Sequence, residues 1–383
     1  MSENNLLFVS LMPHLKDRMR HDYIYNLCVK EVVDKAHIEN VGYVTADCVI
    51  EELPSVWKRW FHEAEKPLTY IQRLRRRYRD FSGIFRELPS NRTRIFFLET
   101  TFSRLDLLAL CLSILRHGKP KDEFWILFRL LFPKKFDLYR VFTRILHYKL
   151  RTRLTVLTDS ETIRESLATE PYSAAVWSIP HTRHVPPFKR PEQNKILAWW
   201  PGPPRENKGL EEIRRLTSTG EEKARHFCLS AAASSGLEQR SEFLTLHLLK
   251  NELSNEEYEQ KLAECQLVLL PYDPQLYKGN TSGNFVEAIV AHKMPLVKGG
   301  SWLASELMRF DLEALIVDWS REDFFAHCLS LLEDENIKKK LAKMQTSYAE
   351  FHCMSTFRDG IRKLLHRNFS SNLTEPLSSH VKV

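Results

Sequence analysis

Two short stretches hold residue types that could do chemistry together. The first is Pro201-Gly202-Pro203-Pro204-Arg205-Glu206-Asn207-Lys208-Gly209. It follows an apolar run over 196–200 and precedes an amphipathic one, so the spacing predicts a loop between a strand and a helix. In an open parallel sheet, ligands bind beyond the carboxyl ends of the strands. Arg205 and Lys208 there set two cations beside a helix N-terminus, a setting that suits a diphosphate. The plainer reading is a solvated loop with ordinary surface charges. The second stretch is Pro271-Tyr272-Asp273-Pro274, then Gly279-Asn280-Thr281-Ser282-Gly283-Asn284-Phe285-Val286-Glu287-Ala288. Thr281 or Ser282 can cap a helix, and Gly283 leaves room for a ligand beside the unpaired amides. Glu287 falls about one turn into that helix, where a carboxylate can accept both hydroxyls of a ribose. A capped amphipathic helix explains the cap. It does not explain a carboxylate between Val286 and Ala288 in an apolar run.

These stretches need strands and helices to hold them. Buried strands are expected over 6–11, 41–45, 94–98, 154–157 and 174–179, with helices over 18–35, 105–116, 136–150 and 161–167. The run 124–131 fits a strand or a buried helix equally. Residues 181–190 hold two prolines among polar side chains and mark a linker. Alternation restarts beyond it, with strands over 196–200, 226–231, 243–249, 267–271, 295–298 and 314–317. Helices are expected over 209–217, 255–265, 282–291, 303–310 and from 321 onward. Strand–helix alternation argues for parallel sheets wrapped by helices. Seen twice around a linker, it predicts an α/β chain of two Rossmann-like domains. The expected boundaries are 1–185, 186–350, a helix over 351–367 and a disordered tail over 368–383.

In this order, the motifs resemble the donor domain of the retaining GT-B glycosyltransferases. That group includes bacterial lipopolysaccharide and mannosyl transferases. The residues concerned are R-x-x-K-G at Arg205–Gly209, P-Y-D at Pro271–Asp273, S-G-x-F-x-E-A at Ser282–Ala288, then Pro295-Leu296-Val297 and Gly299-Gly300. Leu253–Tyr258 and Val176–His181 are further similar features. The resemblance covers about 154–365, and the start of the chain more loosely. It implies a GT-B fold whose sheets face a central cleft. It implies that Arg205 and Lys208 neutralise a donor diphosphate, that Glu287 holds the ribose, and that Gly202, Ser282 and Gly283 complete the donor site. The implied activity is sugar transfer from a nucleotide-sugar donor to a glycan or lipid-linked acceptor, with retention of configuration. One departure is Gly279, preceded by Lys278, where the group often carries an acidic residue facing the sugar. A glycine-rich loop after the first strand is also missing, and Met12-Pro13-His14-Leu15-Lys16 stands in its place.

The first half should then supply the acceptor side. Candidates are His14, His21 and Asp22 after the first strand, Glu99 at the end of the third, and His181 near the hinge. Each is also readable as a structural side chain, the commoner role of a lone histidine.

Composition narrows the classes. The chain has 383 residues, enough for two cores. Its formal charge of +7 is a mild excess that fits phosphate-bearing ligands or an anionic membrane and does not call for nucleic acid, for which no recognition motif exists. Trp57-Lys58-Arg59-Trp60-Phe61 and Arg73, Arg75, Arg76, Arg77 and Arg79 form a basic aromatic stretch. It reads either as a face docking on anionic lipid or as a solvated helix packed by Ile71, Leu74 and Tyr78. Seven scattered cysteines without a C-x-x-C pair suggest reduced thiols in a cytoplasmic protein. The start of the chain lacks a signal-peptide pattern, and no apolar run is long enough to span a bilayer. No metal or other cofactor is expected. Thr158-Asp159-Ser160-Glu161 reads as a helix cap rather than a metal site. Two other readings share the architecture: a sugar-nucleotide epimerase, and a catalytically silent binding module.

Overall fold

The structure is a computed structural model that describes residues 5–17, 21–62, 68–99, 104–129, 133–180 and 195–369. The first half forms a parallel sheet of β1 (Leu6–Met12), β2 (Glu39–Thr45), β3 (Trp57–Phe61), β4 (Thr93–Glu99), β5 (Glu123–Phe128), β6 (Leu154–Thr158) and β7 (Ala174–Val176). Their spatial order is β3-β2-β1-β4-β5-β6-β7. Helices α1 (His21–Lys35), α2 (Tyr70–Glu87), α3 (Arg104–His117), α4 (Pro133–Leu150) and α5 (Glu161–Ser166) connect them. Strands covered on both faces read as continuous apolar runs, and every residue of β1 is buried.

The second half repeats the plan with β8 (Ile196–Trp199), β9 (Phe227–Ala232), β10 (Thr245–Leu249), β11 (Leu267–Leu270) and β12 (Met294–Val297), in the order β10-β9-β8-β11-β12. Its helices are α6 (Leu210–Leu216), α7 (Asn255–Glu264), α8 (Gly283–Val290), α9 (Trp302–Met308), α10 (Phe324–Glu333), α11 (Glu335–Phe351) and α12 (Met354–Phe369). α12 leaves this half and lays Phe357, Ile361 and Leu365 into the first domain's core with Phe8, Phe97, Trp125 and Trp177. Phe357 packs on Trp177 at 4.9 Å between ring centroids. Just before it, His352 Nδ1 meets the Ile179 carbonyl at 2.9 Å, and burial pulls the imidazole down to about 4.

Both sheets reverse direction at one point: between β1 and β4 in the first, between β8 and β11 in the second. Where strand order reverses, connections leave to opposite sides and a crevice opens beyond the strand ends. The two stretches singled out by sequence follow β8 and β11, so they meet at such a crevice.

Three expectations need correction. Residues 57–61 form an edge strand. Its charges are spent locally: Arg59 donates to the Cys48 and Ile50 carbonyls, and Lys58 pairs with Glu87. Residues 314–317 do not make a strand. A 3₁₀ turn at Glu313–Leu315 is followed by a single bridge from Ile316 to Val297. Ile71 does not pack α2, since it is 60% exposed. In the ambiguous run 124–131, residues 124–128 resolve as part of β5, buried on both faces between β4 and β6, and 130–131 lie outside the described residues. The buried pair Arg94–Asp122 closes a fork at 2.7 and 2.6 Å at the opposite, amino end of β4 and serves the core rather than the crevice.

Candidate functional site

The loop after β8 is held in shape by two glycines. Gly202 and Gly209 sit at φ +85° and +83°, in the left-handed region that side chains disfavour. A Cβ on Gly209 would lie 2.4 Å from both Cγ and the carbonyl oxygen of Pro271, so the two loops touch backbone to backbone there. Asp273 N donates to the Asn207 carbonyl at 3.0 Å, and Trp200 Nε1 donates to the Lys208 carbonyl at 3.0 Å. Lys208 is fastened at its backbone and half-buried at its side chain. Its ammonium stands 5.4 Å from the centroid of the buried Tyr272 ring. A Cβ on Gly202 would come within 2.9 Å of Nζ, so the absent side chain makes the space the ammonium uses. Burial lowers the Lys208 pKa, Tyr277 opposes it, and the neighbouring Arg205 charge lowers it further.

Ser282 caps α8 by accepting from Phe285 N at 3.3 Å. Asn284, in the first turn, donates to the Tyr272 hydroxyl at 3.1 Å and to the Pro201 carbonyl at 3.3 Å, tying α8 to the loop after β8. Glu287 is buried one turn in and accepts a 2.5 Å hydrogen bond from the Tyr258 hydroxyl of α7. Burial raises its carboxyl to about 7, while Tyr258 and then Lys208 pull the other way.

A cavity of about 760 Å³ opens beside these groups. Gly202, Arg205, Lys208 and Glu287 line it from the second domain, and Asp17, Tyr23 and Glu52 line it from the first. Ser282 and Gly283 do not line it. Ser282 is buried with its hydroxyl committed to the cap. Tyr258 and Asn284 do line it and were not assigned a role from sequence. Tyr258 closes the stretch Leu253–Tyr258 that resembles the donor domain, but only the fold shows its hydroxyl turned to Glu287.

On the first domain's side, the β1–β4 reversal brings His14 to Asp106, which opens α3, with Nε2 and Oδ2 2.8 Å apart. Asp106 is buried and also takes Arg77 Nε at 2.8 Å. Arg77 therefore belongs to an internal ion pair, not to the exposed basic face of α2. His21 and Asp22 open α1 and Glu99 ends β4, but their side chains lie outside what is described. His181 and the expected linker lie outside the described residues altogether. Asp159 is not part of the α5 cap, which Ser160 supplies alone. Its Oδ2 accepts from Thr281 Oγ1 at 2.8 Å, across to the loop that enters α8. Arg129 Nε stands 3.4 Å from the same oxygen, and burial raises Asp159 to about 6. Among the described residues, no group of three or more His, Cys, Asp or Glu is placed to hold a metal.

No protein-family model and no curated protein matches this sequence. Solved structures do match. The α,α-trehalose 6-phosphate synthase of Burkholderia multivorans aligns over 97% of this chain and 99% of its own, at 10% identity and a TM-score of 0.58. A trehalose-6-phosphate protein from E. coli, bound with UDP-2-fluoro glucose, aligns over 94% and 98% at 11% identity and a TM-score of 0.61. WaaG, a glycosyltransferase involved in lipopolysaccharide biosynthesis, aligns over 94% and 99% at 14% identity and a TM-score of 0.56. These likenesses run nearly the whole length of both partners, and the chain has the GT-B fold, two Rossmann-like domains with parallel sheets.

Proposed function

We propose that this GT-B chain is a glycosyltransferase that moves a sugar from a nucleoside diphosphate sugar to a glycan or lipid-linked acceptor, with retention and without a metal ion. The observation that carries the reading is one cavity, at the β8–β11 reversal, lined by Arg205, Lys208 and Glu287. The first two are cations for a diphosphate and the third is a carboxylate for a ribose. Further support comes from the neighbours' own ligands and activities: one bound UDP-2-fluoro glucose and another is a glycosyltransferase.

The chemistry follows from where charge develops. As the glycosidic bond breaks, the departing diphosphate gains negative charge. Fixed cations stabilise that charge without reorganising, and more strongly in a cavity than in water. Lys208 is fastened at its backbone and set against the Tyr272 ring, so little freedom is left to lose when the diphosphate arrives.

The test is to incubate the protein with UDP-, GDP- and ADP-sugars without acceptor. Slow release of the nucleoside diphosphate, unchanged by EDTA, is the expected outcome. Loss of release on chelation, restored by Mg²⁺ or Mn²⁺, would overturn metal independence. Isomerised sugar would instead identify an epimerase, and tight binding with neither product a silent module.

The reading extends to a cytoplasmic protein working at an anionic membrane surface. No helix among the described residues is long and apolar enough to cross a membrane. Tyr70 and Ile71 are 54% and 60% exposed on α2, beside exposed Arg75 and Arg79. Changing Arg75, Arg76 and Arg79 to Gln together should weaken binding to anionic vesicles by about 3 kcal/mol, at roughly 1 kcal/mol per cation. Arg77 is left intact because it holds Asp106. Equal vesicle binding by variant and wild type at low salt would remove this surface from consideration.

A further inference from the structure

We propose that Tyr258 is a positioning residue of the donor site, its phenol fixing the Glu287 carboxylate as an acceptor for a ribose hydroxyl. The inference rests on the donor reading above and goes beyond it, to what lets a buried glutamate accept hydrogen bonds near neutral pH.

Packing alone does not explain Tyr258. Its ring meets Trp199 edge-on at 4.9 Å, a contact that a phenylalanine would make equally well. The hydroxyl reaches further, to Glu287 Oε2 at 2.5 Å. Both residues line the cavity. Glu287 needs such help because it lies inside an apolar turn, between Val286 and Ala288, where losing water disfavours the anion. Charged and titratable groups line the cavity around it from several elements. Lys208 and Arg205 come from the loop after β8, Lys250 and Glu252 from the loop after β10, Tyr258 and Glu259 from α7, and Asp17, Tyr23 and Glu52 from the first domain. Tyr272 comes from the loop after β11 and feels the Glu287 charge. Of these, the phenol gives the strongest pull toward the anion, followed by Lys208. Burial and the carboxylate push the phenol's own pKa well above the ordinary tyrosine value, so it remains a donor at any working pH.

The sign follows. Above its pKa, Glu287 is an acceptor for a ribose hydroxyl. As pH falls through about 7 it gains a proton and nucleotide affinity falls. Removing the phenol removes a bond to the charged form, so that fall moves to higher pH.

The experiment titrates UDP, GDP and ADP by calorimetry across roughly pH 5.5 to 9. The tightest of the three is then compared with its 2′,3′-dideoxy counterpart. Tyr258→Phe should move the acid-side fall upward by about one pH unit, a tenfold loss near neutrality, and should regain wild-type affinity at the alkaline end. Placing 3-fluorotyrosine at position 258 strengthens the donor with the ring kept. It should move the fall downward, and it preserves the test if the phenylalanine variant does not fold. The dideoxy ligand should show no such movement. A loss independent of pH, or the same movement with the dideoxy ligand, overturns the role of Tyr258 and leaves the donor reading standing. A wild type that binds none of the three nucleotides overturns both.

Discussion

Lys208→Ala and Arg205→Ala should each lower turnover with the true donor by about 10²–10³-fold, the usual cost of losing one group that stabilises a developing anion. Donor affinity should fall less, because the diphosphate carries more charge in the transition state than in the ground state and only the difference accelerates the reaction. The two side chains line the same cavity and Arg205 lowers the Lys208 pKa, so they face one charge and act as a unit. The double variant should therefore lose less than the product of the single losses. Arg205→Lys should not rescue, since a point charge cannot replace a planar fork on a phosphate. Steady-state kinetics decide the matter, with melting temperatures to exclude unfolding. Folded single variants with near wild-type turnover would sink the donor-site assignment.

The second large effect is expected at Gly209. Alanine there must adopt a left-handed backbone, about 1–2 kcal/mol for an ordinary residue. It must also place its Cβ 2.4 Å from the Pro271 carbonyl oxygen, an overlap between two backbones that no rotamer relieves. Such overpacking adds about 1–3 kcal/mol. Gly209→Ala should lose about 2–5 kcal/mol of stability in denaturant titration, the sum of those terms. Gly236 is the control. It has φ +62° but nothing within 4 Å of an added Cβ, so Gly236→Ala should cost the backbone term alone. If the loop after β8 separates from the loop after β11, Lys208 moves with it, and turnover should fall in any Gly209→Ala protein that remains folded. Equal costs at the two glycines would show that the close approach to Pro271 does not matter.

Much of this architecture was legible because parallel strands buried on both faces read as unbroken apolar runs. Residues 6–11, 94–98 and 267–271 all did, and all but Pro271 lie in strands. Residues 57–61 escaped because an edge strand keeps its charges, and Lys58 and Arg59 disguised it as a basic patch. Residues 314–317 misled in the other direction. They are apolar because the core needs Leu315 and Val317, while the backbone is held by only one bridge. For the site, residue type and loop position, joined to the family resemblance, singled out Arg205, Lys208 and Glu287, which line one cavity. Tyr258 lies in the stretch Leu253–Tyr258 that the resemblance singled out, but its role was hidden because its partner, Glu287, is remote in sequence. Arg77 was indistinguishable from its neighbours until the turn of α2 carried it inward to Asp106. Asp159 looked like part of a helix cap because its partner, Thr281, is remote in sequence.

The return of α12 has a consequence for how the cleft can move. The chain passes between the domains once between residues 180 and 195. It passes again between α11, whose Tyr348 packs on Phe285, and α12, whose Phe357 packs on Trp177. A second crossing, seated in the first domain's core through Phe357, leaves the domains fewer ways to move than a single linker would. Closure about a substrate should carry α12's attachment with it, so Lys208 and Glu287 would approach the first domain within that narrower range.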